Sequence, residues 1–66
     1  MDSESIVAAA EDRFQNDAEF HARVYRTVLV IESARGSHLS ENAREAAFRA
    51  AAVALNTVDV AIEGSK

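Results

Sequence analysis

Between residues 6 and 31 apolar side chains recur in steps of three and four. Ile6, Val7, Ala10, Phe14 and Ala18 begin the series, and Val24, Tyr25, Val28 and Ile31 continue it, with His21 in line between them. That period belongs to an α-helix with one buried face. Asp12, Gln15, Asn16, Glu19, Arg23 and Arg26 occupy the other side. The pattern therefore predicts one amphipathic helix over residues 3–34.

The second half is apolar around more of its circumference. One stripe runs through Leu39, Ala43, Ala46, Ala50, Val53, Thr57 and Val60. A second, of Phe48, Ala51, Leu55, Val58 and Ile62, is spaced like a coiled-coil seam. Only Glu45, Arg49, Asn56, Asp59 and Glu63 form a polar strip. This predicts a helix over residues 40–63 that is buried on more than one side. Gly36 and Gly64, the only glycines, fall where left-handed helix caps belong, and there is no proline. Asp2 or Ser3 can cap the first helix, and Ser37 or Ser40 the second. The expected fold is all-α: a single domain over residues 1–66, made as a two-helix antiparallel hairpin with its turn at residues 35–39. The alternative is strand at 24–31 and 57–63, where β-branched residues cluster and apolar and polar positions alternate.

One antiparallel helix covers one stripe, and the alanine stripe suits its close approach. The seam is then left over. Burying Phe48, Leu55, Val58 and Ile62 would contribute several kcal/mol at about 25 cal/mol per Å², which rivals the whole stability of a domain this small. Homodimerisation into a four-helix bundle is the economical expectation. Its interface would use Phe48, Ala51, Leu55, Val58 and Ile62, with Phe14, His21, Tyr25 and Val28 from the first helix.

Composition narrows the chemistry. At 66 residues without cysteine, the chain has neither disulfides nor thiolates to reinforce a small core, so a partner chain is the remaining common means. A net charge of -4 argues against a general phosphate-binding surface. The longest apolar runs, at 28–31 and 50–55, are too short for a bilayer, and the acidic start differs from a secretory signal. A cytoplasmic protein with no membrane association is expected. Lys66 is the only lysine and alanine is abundant, a bias in keeping with coding in a GC-rich bacterium or its phage.

Few residues offer themselves for catalysis. His21 has Asp17 one turn earlier, a spacing that can stabilise a protonated imidazole, so a pH-sensitive interface is one reading and a satisfied bundle histidine the other. His38 sits near Ser37 and Ser40, where helix capping accounts for the serines. Neither histidine has a glutamate three positions before it, as carboxylate-bridged metal bundles require, so no metal or other cofactor is expected. Phe20, Val30 and Ala52 fall off the main stripes, and Phe20 with Arg23 and Arg26 forms a possible partner surface. With Arg13, Arg23 and Arg26 facing outward, the architecture is similar to that of ROP-like hairpins, which dimerise and bind RNA. The likeness rests on no shared motif. The leading expectation is a small non-enzymatic oligomeric module acting through protein–protein contacts, of a size that fits a phage or bacterial accessory or regulatory protein. A ROP-like nucleic-acid-binding regulator is the alternative.

Overall fold

In the computed structural model, which describes residues 2–65, these residues form three α-helices and no strand. They are α1 (Ser3–Asn16), α2 (Ala18–Arg35) and α3 (Glu41–Gly64). The segments 24–31 and 57–63 lie inside α2 and α3, so the strand alternative falls. Helical spacing over long uninterrupted stretches prevails there over β-branched content, because two short strands would have no further sheet to join.

Each helix begins on a side-chain cap. The Asp2 carboxylate accepts from the Ser5 amide at 2.7 Å, and that bond holds its carboxyl below the ordinary value. Ser40, not Ser37, caps α3 by accepting from the Ala43 amide at 3.3 Å. Gly36 ends α2 in the left-handed region at φ 80°, its amide donating back to the Glu32 and Ser33 carbonyls. Glycine adopts that conformation without a Cβ penalty.

The first predicted helix is divided at Asp17, so the two-helix hairpin is corrected to three helices. Asp17 is extended (φ -121°, ψ 105°) and its carboxylate accepts from the Phe20 amide at 3.1 Å, making it the cap of α2. Just before it, the Asn16 side-chain amide donates to the Asp12 carbonyl at 2.9 Å. Short polar side chains that bond locally offer the backbone such an exit from the helix. The backbone loses little there: the Asp17 amide donates to the Arg13 carbonyl, and the Asp17 carbonyl accepts from the His21 amide, each at 2.9 Å.

α2 runs antiparallel to α3, and α1 crosses the same helix. Ile6 and Ala9 share a groove with Val60 and Ala61, while Phe14 reaches Phe48. Glu32 meets Leu39 and Arg44 at one end, and Arg23 meets Asp59 toward the other. The core is Ala10 from α1, Phe20, Val24 and Val28 from α2, and Ala51 and Ala52 from α3. Phe14, Ala47, Phe48, Val53 and Leu55 pack around it.

Phe20 is thus a core residue, 2% exposed, and not part of a partner surface. The cause is the break at Asp17. A continuous helix would have carried Phe20 off the apolar stripe, whereas a new helix started at Ala18 turns it inward with Val24 and Val28 at steps of four. The two stripes of α3 also trade places. Ala43, Ala46 and Ala50 are exposed, and Phe48, Ala51 and Leu55 face the neighbouring helices. Larger side chains bury more area per residue, and splitting the first helix supplies two rods to cover them.

Candidate interaction surface

A partly exposed polar network is organised around Asp59. Its Oδ2 accepts from Arg23 at 2.7 Å and from Arg13 at 2.9 Å, and Arg13 also donates to the Asn56 side chain at 3.1 Å. One carboxylate thereby joins all three helices. The Arg23 and Arg13 hydrogen bonds hold the Asp59 carboxyl below its ordinary value, and Asp59 in turn raises the Arg23 guanidinium. The Arg13 guanidinium also lies 4.1 Å from the Phe20 ring centroid, a cation–π contact over the core. Arg13 and Arg23, expected to face solvent freely, keep part of that exposure but are ion-paired to Asp59 of the same chain. Polar side chains at the meeting of three helices find one another there, which no single-helix projection reveals.

A second polar group fastens the α2–α3 turn. Glu32 is 5% exposed, and its Oε2 accepts from the Leu39 amide at 2.9 Å. That bond, aided by the charges of Arg44 and His38, outweighs burial and holds the Glu32 carboxyl below its ordinary value. The Nδ1 of the exposed turn residue His38 lies 3.6 Å from Oε2. Glu32 continues the Phe20–Val24–Val28 series by one more step of four, the signal that places it in the interior.

His21 is exposed, not central to a buried face. Its ring stacks on Phe14 with centroids 4.2 Å apart, and Nδ1 lies 3.3 Å from the Phe14 carbonyl oxygen. Last-turn carbonyls lack intrahelical donors, and the side chain from the next helix fills that need. The anticipated Asp17–His21 pair does not form, because the Asp17 carboxylate is occupied with capping α2. Tyr25, itself substantially exposed, is 5.5 Å from Phe48 between ring centroids, and Phe14 is 6.1 Å from the same ring. Phe14, His21 and Tyr25 thus edge one aromatic cluster with Phe48, while Val28 belongs to the core.

Large apolar side chains remain at the surface in two groups. Leu29, Val30 and Ile31 lie toward the end of α2, with Val30 61% exposed. Val58, Val60 and Ile62 lie at the end of α3, where Val58 is 49% and Ile62 55% exposed. The seam is therefore covered at Phe48, Ala51 and Leu55 and bare at Val58 and Ile62, past the start of α2. Arg49 pairs with Glu11 and Arg44 with Glu32. Among the described residues, that leaves Arg26 and Arg35 as the arginines without a carboxylate within ion-pair distance. No helix is long and apolar enough to cross a membrane, and no cluster of three or more metal-ligating side chains occurs among the described residues. Comparison with protein-family profiles, curated proteins and solved structures finds no significant match to this chain.

Proposed function

We propose that this chain is a non-enzymatic helical module that assembles with copies of itself and acts through protein–protein contacts. One observation carries the reading. The chain exposes 4854 Å², whereas a compact monomer of 7.1 kDa would expose about 4,100 Å². The excess, roughly 750 Å², is close to the area that each partner contributes to a standard protein–protein interface. Six of the large exposed apolar side chains, Leu29, Val30, Ile31, Val58, Val60 and Ile62, lie near the ends of α2 and α3, and grouped apolar exposure of this kind marks interaction sites. With three helices in each chain, a dimer is a six-helix assembly and not the four-helix bundle expected from a simple hairpin.

The nucleic-acid alternative requires arginines free to meet phosphate. Arg13 and Arg23 serve Asp59, and Arg26 and Arg35 alone make a thin basic surface. Sedimentation equilibrium from low to high micromolar concentration tests the proposal. Concentration-dependent mass above that of one chain is expected, reduced by Ile62→Asp. A wild-type chain monomeric throughout would overturn self-assembly. Retention on RNA or DNA at low salt, lost in an Arg26→Ala, Arg35→Ala double variant, would favour the alternative.

A further inference from the structure

The geometry points to a two-fold dimer in which the 29–31 patch of each copy covers the 58–62 patch of the other. This inference rests on the self-assembly proposed above and specifies its geometry.

The two patches lie at opposite ends of the antiparallel α2/α3 pair. Leu29 to Ile31 stand beside the start of α3, near where Glu32 meets Arg44, and Ile62 lies at its far end. At 1.5 Å per residue, the patch centres are about 25 Å apart along α3. A two-fold axis between two such chains, running in opposite directions, sets each patch on its counterpart and repeats the contact twice. In an isologous interface, residue i meets j and j meets i. Both bare ends are then covered in one closed step, with no open surface to propagate a filament.

Charge selects this pairing over a patch meeting itself. Arg26 lies one turn before Val30 and Arg35 one turn after Ile31, and neither has an ion-pair partner among the described residues. Beside the other patch stand Glu63, next to Ile62, and Asp2 and Glu4 at the start of α1, the end of that helix that lies against Val60 and Ala61. The crossed arrangement sets arginines against carboxylates, whereas patch-to-same-patch contact sets like charge against like and lowers affinity. Glu41 and Glu45 also lie near the basic end. Glu45 is on the flank that α3 shows to α1, beside Glu11 and Phe14, and Glu41 sits in the first turn of α3, where the helix dipole favours it.

The absence of native cysteine makes the test direct. Val30→Cys and Ile62→Cys are prepared singly, mixed to allow exchange, and treated with a bismaleimide whose reach is well under the patch separation. Circular dichroism first establishes that each variant is helical. Covalent dimer is expected in the mixture, in at most half of the pairs, with little from either variant alone. Covalent dimer from Val30→Cys alone or Ile62→Cys alone, absent a mixed product, overturns the crossed arrangement while leaving self-assembly intact. The same holds for a wild-type dimer that gives no covalent product in any sample. A wild-type monomer in sedimentation overturns both.

Discussion

Replacing Phe20 with alanine separates the broken helix from the continuous one that the apolar spacing predicts. In the structure the Phe20 ring is 2% exposed, packed with Val24, Val28, Ala51 and Ala52 and capped by the Arg13 guanidinium. Deleting a buried phenylalanine costs about 3–5 kcal/mol in lost transfer energy and residual cavity. Loss of the cation–π contact adds about 0.5–1 kcal/mol at this half-exposed arginine. A 66-residue domain has a total of about 3–10 kcal/mol to lose, at roughly 0.05–0.15 kcal/mol per residue. The variant should therefore be largely unfolded, or fall by about 3.5–6 M in urea midpoint for a slope near 1 kcal/mol per M. Far-ultraviolet circular dichroism during urea titration, at fixed protein concentration, reads this out. Gln15→Ala, at an exposed position outside both apolar patches, serves as the control and should move the same transition by about 0.5 kcal/mol or less. Should Phe20→Ala lose under about 1 kcal/mol, the ring does not occupy the core. The break at Asp17 would then be refuted with it.

Three further outcomes follow from the polar contacts and the turn. Asp59→Asn should lower stability at neutral pH; because the folded carboxyl titrates below its unfolded value near 3.8, the wild-type advantage is full above that pH and shrinks as acid carries the solution through the folded pKa. Urea midpoints of both proteins from pH 7 downward check this, and a gap that stays constant into acid would contradict the Arg23–Asp59–Arg13 network. Glu32→Ala should leave the Leu39 amide without its acceptor, so hydrogen exchange at Leu39 should accelerate well beyond that at neighbouring turn amides. Gly36→Ala meets no atom within 4 Å, so its loss of about 1–2 kcal/mol in thermal or urea unfolding should come from positive φ alone.

The helical class, the pairs of cap candidates (Asp2 or Ser3, Ser37 or Ser40) and the turn at Gly36 can be read from local chemistry, because a cap needs only a side chain within three residues of its amide; the choice of Asp2 and Ser40 comes from the structure. The break at Asp17 cannot. It involves one non-helical residue, no glycine and no proline, and both of its backbone groups stay bonded. What decides it is the covering of α3 by two separate rods, a tertiary gain that a periodicity count does not contain. The misplacement of Phe20 and His21 follows directly, since both phases were carried across that break. Arg23 falls on the outward side of a single-helix projection, and Glu32 on none of its stripes, for a related reason: their partners Asp59 and Leu39 lie on another helix and in a turn. The surplus of apolar surface was anticipated from the second half, though its place shifted from the whole seam to Val58 and Ile62.

The separation along the chain of the contacts that lock each helix has a consequence for the order in which the molecule comes together. The Glu32–Leu39 bond spans 7 residues and Arg23–Asp59 spans 36, whereas Arg13–Asp59 spans 46. Closing a longer loop costs more entropy, so the α2–α3 pair should zip first and α1 should dock last.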